Sequence, residues 1–174
     1  EASSFYEEAL ALSPQNSGIR SEYARLAYDL ERDCDKAIDI FDEAVEIDPY
    51  YEFLFFNRAD VLVGCAARDA EGDRDDYYER ALVSLEEGLA LDPRETRAWL
   101  QLAQINMELG NYAEAEAAFA ETRLRNVDNQ TIPAWNLDFL EARLQSEMGN
   151  TETAVILAQS ALATAPAEAA PQIQ

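Results

Sequence analysis

The sequence predicts an all-α fold, specifically an α-α superhelix (solenoid) of stacked antiparallel helix pairs. Three observations support this prediction. Apolar residues recur at the spacing of one helix face, a short pattern that ends in proline returns along the chain, and alanines precede that pattern at a period of about 34 residues. A repeat of this length that carries helical spacing is typical of stacked helical pairs.

The repeated pattern marks the second helix of each pair. It reads EEALALSP at 7–14, DEAVEIDP at 42–49 and EEGLALDP at 86–93, and an alanine lies twelve residues before each proline. Two later segments follow the same frame, with Val127 in place of the proline in one and Pro166 in the other. The alanines are separated by 35, 44, 34 and 39 residues, and they are Ala2, Ala37, Ala81, Ala115 and Ala154.

The first helix of each pair precedes the pattern and is clearest in AWLQLAQINMELG, residues 98–110. Gly110 and Asn111 are expected to end this helix, because both tolerate the left-handed conformation that a helix C-terminus often needs. Tyr112 then opens the second helix, and Ala115 allows the two backbones to approach closely. The proline of each unit ends the second helix.

These boundaries predict one domain over residues 1–166. It begins with a half-unit at 1–14, continues with repeats at about 17–49, 50–93, 94–127 and 132–166, and is followed by a disordered tail or linker at 167–174. The longer second repeat is expected to have a longer first helix and an acidic turn near 69–76. Pro133 is expected in the first turn of a helix.

The pattern resembles the tetratricopeptide repeat (TPR) family over nearly the whole chain. The clearest unit carries the motif in the residues Trp99, Leu102, Ala103, Gly110, Tyr112, Ala115 and Phe119. Three positions depart from it, since Cys34 replaces a usual tyrosine and Gly88 and Thr122 replace a usual alanine. The resemblance implies a protein-binding scaffold in which first helices line a concave face and hold a peptide or a partner helix.

Composition excludes several classes of partner. The chain of 174 residues has 35 acidic and 13 basic residues, a formal net charge of -22, and no histidine. Such a surface repels nucleic acid and anionic lipid, and no apolar run reaches the roughly 20 residues that a membrane-spanning helix needs. The lack of histidine removes the commonest general base, so no enzymatic activity and no cofactor are expected.

Cysteines and acidic residues do not form a predicted metal site. Cys34 and Cys65 lack metal-ligand spacing, and both are expected near the ends of first helices as free thiols, with a disulfide as the alternative. The acidic segment DAEGDRDD at 69–76 invites a calcium hypothesis, but Gly72 is out of register with a calcium-binding loop. A solvated turn is the prediction.

Core and surface positions follow from the repeat. Large side chains expected in the seams between helices are Tyr6, Phe41, Trp99, Tyr112, Phe119 and Trp135. Residues expected on the concave face combine arginine with aromatic, amide and acidic groups, which can hold peptide backbone and carboxylate groups. They are Arg25, Tyr28, Phe56, Asn57, Asp60, Arg97, Gln101, Gln104, Glu108 and Arg143.

Two further functional hypotheses remain open. The half-unit at the N-terminus suggests an accessory segment of a larger bacterial protein, and the units resemble repeats appended outside the membrane to polysaccharide polymerases and O-antigen ligases. The apolar segment TAVILAQSALATA at 153–165 suggests self-association through the last helix. The compartment is cytoplasmic by default and extracytoplasmic if the chain belongs to a membrane protein.

Overall fold

The computed structural model describes residues 2–68, 72, 74–127 and 130–169, and these residues form helices and short connections without a β-strand. The helices are α1 (Ala2–Leu12), α2 (Ser17–Leu26), α3 (Cys34–Ile47), α4 (Glu52–Arg68), α5 (Arg74–Leu91), α6 (Thr96–Glu108), α7 (Tyr112–Arg125), α8 (Ala134–Glu147) and α9 (Thr151–Thr164). A π-helical turn, Ala27–Glu31, continues α2. The all-α fold class is confirmed.

The chain divides into two compact units, Glu1–Pro93 and Arg94–Gln174. In the first unit α2 packs on α3, α4 packs on α5, and α1 packs on α2. In the second unit α6 packs on α7 and α8 packs on α9. Each pair is joined by a short connection, which makes the two helices antiparallel neighbours.

The repeat alanines are buried in three of the pairs, whereas Ala154 in the last pair is half-buried. Ala37, Ala81 and Ala115 are all 0% exposed. Of the expected core aromatics, Phe41 and Phe119 are fully buried, while Tyr6, Trp99, Tyr112 and Trp135 are half-buried. Buried alanines and large aromatic side chains together fill the core of the pairs.

Prolines stop the second helices at a constant distance. Helices α1, α3, α5 and α9 each end two residues before Pro14, Pro49, Pro93 and Pro166 respectively. Proline disfavours the helical conformation in the residue before it and cannot donate a backbone hydrogen bond, so the last turn ends early.

Asn126, directly before Val127 at the proline position, is the C-cap of α7. Its side chain is buried, accepts hydrogen bonds from the backbone N–H groups of Thr131 (3.2 Å) and Ile132 (3.0 Å), and donates to the carbonyl oxygen of Ile132 (2.7 Å). These hydrogen bonds connect the end of α7 to the residues directly before Pro133. Pro133 lies at the N-cap of α8, directly before the helix rather than in its first turn.

The two departures from alanine have physical reasons. A side-chain carbon at Gly88 would clash with the ring of Phe56 and lie tightly against the Cβ of Phe55, so a larger residue would force the Phe56 ring to move. Thr122 is fully buried, and its hydroxyl donates to the carbonyl oxygen of Ala118 at 2.8 Å. Both substitutions therefore keep the seam filled and leave no buried polar atom of their own unsatisfied.

The turn between α6 and α7 was predicted correctly only for Gly110. Gly110 has φ +76, in the left-handed region, whereas Asn111 has φ −82 and is the N-cap of α7. Gly149 has the same role, with φ +80, between α8 and α9. At the matching place before α3, Arg32 adopts φ 62, a conformation that costs a non-glycine residue about 1 kcal/mol.

The expectation of two free thiols is wrong, because Cys34 and Cys65 form a disulfide with their Cα atoms 6.0 Å apart. Cys34 also begins a second helix, α3, rather than ending a first helix, and Cys65 lies near the end of α4. The repeat period in the sequence did place the two cysteines in neighbouring helical pairs. Sequence spacing alone could not show that the two side chains face each other.

The longer repeat has a first helix of 17 residues, α4, against 13 residues in α6. Half of the acidic segment at 69–76, namely residues 69–71 and 73, lies outside the described residues, so its predicted turn and the calcium hypothesis stay predictions. The same holds for residues 170–174 of the predicted tail. The predicted domain boundaries remain a prediction.

We expect Phe119→Ala to lower the free energy of unfolding by about 3 to 5 kcal/mol, because the ring is fully buried and its loss leaves a cavity. Urea unfolding followed by circular dichroism measures the change. Phe5→Ala removes the same side chain from a position that is 71% exposed and should change stability by less than about 0.5 kcal/mol. Equal effects of the two substitutions would contradict this packing.

Candidate functional site

Four of the five residues predicted for the concave face of the first unit line one small cavity between α2 and α4. The cavity, which we call the α2–α4 notch, has a volume of about 80 Å³. Its lining consists of Arg25, Tyr28, Asp29, Asn57, Asp60 and Val61. The notch has room for one side chain or one backbone group of a ligand, because a water molecule alone takes about 30 Å³ of liquid.

Helix geometry explains how the notch forms. Residues 25, 28 and 29 are spaced i, i+3 and i+4 at the end of α2 and in the π-helical turn, and residues 57, 60 and 61 have the same spacing on α4. Side chains at this spacing share a helix face. Asn57 Nδ2 also donates to Ser21 Oγ at 3.3 Å, which ties α4 to α2 at the edge of the notch.

Tyr28 is the most constrained residue of the notch. Its hydroxyl lies where a side-chain carbon would stand on Gly64, so any larger residue there would force the Tyr28 ring to move. The Arg68 guanidinium lies 3.7 Å from the centre of the Tyr28 ring and donates to the Tyr28 carbonyl oxygen at 3.0 Å. The end of α4 thus holds the aromatic wall of the notch.

Phe56, the fifth predicted residue of this unit, does not line the notch. Its ring lies over Gly88, in the contact between α4 and α5. The neighbouring Arg58 is also directed to α5, where its guanidinium contacts Ser84 Oγ (2.9 Å) and Glu87 (3.0 Å) and also Asp42 of α3 (2.9 Å). Arg58 therefore serves packing and charge pairing within the unit.

In the second unit, the four predicted residues of α6 follow one helix face. Arg97 and Glu108 are exposed, and Gln101 and Gln104 are half-buried. Arg143 of α8 lies beside them, since its Nη2 is 3.6 Å from Glu108 Oε1. The structure thus brings together Glu108 and Arg143, and all five residues are accessible to a ligand at least in part.

Arg25 and Arg97, one on each surface, differ from most other arginines of the chain in their ion pairing. Among the described residues, neither Arg25 nor Arg97 has an ion pair, and both side chains are exposed. Most other arginines pair with carboxylates, as in the contact of Arg123 with Glu141 (2.5 Å) and Asp138 (2.7 Å), which raises the pKa of Arg123. Arg25 and Arg97 therefore keep hydrogen-bond donors available for a ligand.

Lys36, the only lysine of the chain, is not part of either surface. It lies on α3, and its ammonium group is 2.8 Å from Glu31 and 4.9 Å from the centre of the Tyr23 ring. The hydrogen bond from Lys36, with a second from Ser3, lowers the pKa of Glu31, and the contact with Glu31 raises the pKa of Lys36. Both groups stay charged at neutral pH, and acidification below the usual range of a glutamate weakens the pair.

Sequence reasoning missed Asp29 and Val61 in the notch. Asp29 lies in the π-helical turn, four residues after Arg25. Val61 is buried and forms the floor beside Asp60. The signal available in the sequence was the spacing of these residues from Arg25 and Asn57.

A further accessible surface lies on α8 and α9. An apolar groove of about 270 Å³ lies between these helices and includes Phe139, Arg143, Val155 and Ala158. Val155 and Ile156 on α9 are 49% and 59% exposed. Within the described residues, no cluster of acidic or cysteine side chains could hold a metal ion, and none of the helices has the length and apolar character that crossing a membrane requires.

Paired helices with alanine contacts, proline stops and accessible first-helix faces define a helical-repeat protein. Models of the tetratricopeptide repeat match residues 1–52 and 75–137. The chain belongs to the tetratricopeptide repeat family. This assignment supports a protein-interaction scaffold in general terms.

Two curated proteins show the same similarity over part of their length. Superkiller protein 3 of Schizosaccharomyces pombe is 27% identical over 96 residues, which are 55% of this chain and 7% of the relative. The heat-shock protein cognate (HSC) co-chaperone sgt12 of Aspergillus fumigatus is 28% identical over 113 residues, which are 64% of this chain and 29% of the relative. The chain spans less than a third of either protein.

Solved structures share the fold at low sequence identity. MamA protein has a TM-score of 0.76 at 16% identity, covering 94% of this chain and 80% of MamA. PilW, a type IV pilus biogenesis factor, has a TM-score of 0.71 at 19% identity, covering 91% of this chain and 66% of PilW. TTC0263, a thermophilic TPR protein of Thermus thermophilus, has a TM-score of 0.67 at 21% identity, covering 99% of this chain and 86% of TTC0263.

We expect Gly64→Ala to lower the free energy of unfolding by about 1 to 3 kcal/mol, because the added methyl group meets the Tyr28 hydroxyl. The matched control is the same substitution in a Tyr28→Ala background. There the methyl group meets no ring, and alanine favours a helix over glycine by about 0.8 to 1 kcal/mol. Urea unfolding of the four proteins measures the coupling, and an equal cost of Gly64→Ala in both backgrounds would refute the contact.

Proposed function

We propose that this protein binds a protein partner in extended form through the face of α2 and α4 in the first unit, and that the face of α6 and α8 in the second unit is a peptide-binding face of its own. The observation that carries the proposal is the α2–α4 notch. Four residues chosen for a binding face, Arg25, Tyr28, Asn57 and Asp60, line it together. The TPR assignment supports a scaffold role but does not itself select this face.

The ligand chemistry follows from the groups that the two faces offer. Arg25 and Arg97 carry donors that suit a carboxylate, in a chain whose net charge is -22. Amide groups of Asn57, Gln101 and Gln104 can pair with peptide backbone. We therefore propose a peptide that presents acidic side chains or a terminal carboxylate to the arginines, while backbone groups meet the amides.

A lysine clamp for a terminal carboxylate is not part of this proposal. The resemblance to TPR proteins includes a subtype that grips such a carboxylate with lysines and asparagines on consecutive first helices. Here the one lysine, Lys36, lies on a second helix and pairs with Glu31. The co-chaperone similarity therefore does not transfer that binding mode to this chain.

The test uses an array of 12-residue peptides, half with free and half with amidated C-termini, and then solution titration with the peptide that binds best. We expect the triple variant Arg25→Ala/Asn57→Ala/Arg97→Ala to weaken binding at least tenfold, because it removes two charged contacts and one amide contact. Arg80→Ala is the control, since Arg80 lies on α5 and has only ion pairs of 3.8 and 3.9 Å. Binding that survives in the triple variant would reject these faces.

The accessory-segment hypothesis is a second candidate, and the disulfide favours it. Disulfides persist outside the reducing cytosol, so the Cys34 to Cys65 bond supports an extracytoplasmic setting for this chain. Such a setting suits a segment appended to a membrane-embedded polysaccharide polymerase or O-antigen ligase. A full-length sequence without a multi-span region would remove this candidate.

Self-association through α9 is also proposed, with a second copy of the same chain as the partner. α9 carries one charged residue, Glu152, so two copies can meet there with little repulsion, and its apolar side chains are exposed. We expect a dimer in sedimentation at 1 M salt, where charges interact over only about 3 Å. Ile156→Asp should abolish the dimer and Val83→Asp, on α5, should not. A monomer at all protein concentrations would contradict this interface.

A further inference from the structure

The disulfide joins two successive helical pairs beside the α2–α4 notch. Cys34 is the first residue of α3, and Cys65 is 1% exposed on α4, with a sequence separation of 31 residues. Cys65 lies one helical turn after Val61, which forms part of the notch. The disulfide and the α4 side of the notch therefore lie on the same helix, one turn apart.

The other side of the notch is attached to the same bond through a short segment. Tyr28 and Asp29 belong to the π-helical turn, Ala27–Glu31, and Arg32 and Asp33 separate this turn from Cys34. Arg32 has φ 62, in the left-handed region, and this conformation is unfavourable for a residue other than glycine. The segment that carries half of the notch thus needs restraint from its surroundings.

Ala27 is buried and the Tyr28 hydroxyl packs against Gly64, but the ionic and stacking contacts of this segment lie close to solvent. Glu31 and Lys36 form an ion pair whose side chains are 31% and 34% exposed, and Arg68, which stacks on Tyr28, is exposed. Exposed pairs of this kind contribute little to stability and open readily. The disulfide is the restraint that does not open with thermal motion.

We propose that the Cys34–Cys65 disulfide holds the α2–α4 notch in the shape that binds the ligand, and that reduction of this bond weakens binding. This inference rests on the proposed function, since it concerns regulation of the same site. The oxidised protein is the binding form because a preorganised site loses less conformational entropy when it binds. The bond then makes binding depend on the redox state of the compartment.

Reduction by a dithiol gives a balanced reaction. A thiolate of the dithiol attacks Cys34 Sγ, the more accessible sulfur, the bond between the two cysteine sulfurs breaks, and Cys65 Sγ leaves as a thiolate that takes up a proton. The second thiol of the reagent then displaces Cys34. Two electrons and two protons pass to the protein, and the dithiol becomes a cyclic disulfide.

The first test needs no ligand. Hydrogen exchange is measured by mass spectrometry on the oxidised chain and on the chain reduced with dithiothreitol, which can act on only one bond because there are two cysteines. We expect exchange in peptides spanning 27–36 to rise about tenfold on reduction, while peptides from α6 serve as the internal control. The Cys34→Ser/Cys65→Ser variant should exchange at the rate of the reduced chain, and the reductant should not change its rate. Unchanged exchange at 27–36 would overturn the inference.

The second test uses the array peptide selected for the proposed function. We expect reduction to weaken its affinity about three- to tenfold in the wild-type chain and to leave the double serine variant unaffected by reductant. Circular dichroism of the reduced wild type verifies that the helices persist. Equal affinity in both redox states would overturn the inference even if the exchange rate changes.

The two proposals fail in different ways. If the triple arginine and asparagine variant binds as well as the wild type, the proposed binding faces are wrong, whatever the exchange data show. If that variant loses binding but the oxidised and reduced chains bind equally, the binding faces stand and the regulatory role of the disulfide is wrong. Loss of binding in the triple variant together with weaker binding on reduction supports both.

Discussion

Close contact between two helices at a buried alanine is the interaction on which three of the helical pairs depend. Ala37, Ala81 and Ala115 have no exposed surface, and each lies in the second helix of its pair. A larger side chain at these positions would separate the backbones and leave voids along the seam. Because the pairs form in this way, the first helices keep their polar faces accessible, and those faces carry the candidate binding residues.

The chain shows how much a repeat can vary when the contact is preserved. Gly88 leaves space for the Phe56 ring, and the buried Thr122 hydroxyl donates to a backbone carbonyl oxygen. Asn126 accepts a hydrogen bond from the Ile132 N–H group at the helix end that lacks a proline. Each departure satisfies the volume or hydrogen-bond requirement of its own position. The repeat is therefore a set of physical requirements that several residue types can meet.

The acidic surface gives the few arginines distinct functions. Arg58 pairs with carboxylates of α3 and α5, and Arg123 pairs with two carboxylates of α8, so both contribute to packing inside a unit. Arg25 and Arg97 have no ion pair among the described residues, although carboxylates are abundant. This difference in pairing is the electrostatic basis for assigning ligand contacts to the first-helix faces.

The sequence by itself determined the all-α fold, the positions of the alanine contacts, the stops at the prolines and four residues of the notch, because these depend on spacing along a helix. Tertiary structure decided which side chains meet across helices. It alone showed the disulfide, the direction of Phe56 toward α5, the stacking of Arg68 on Tyr28 and the place of Asp29 in the π-helical turn. Such contacts depend on the rotation of one helix against another, and the periodicity of a single helix does not specify that rotation.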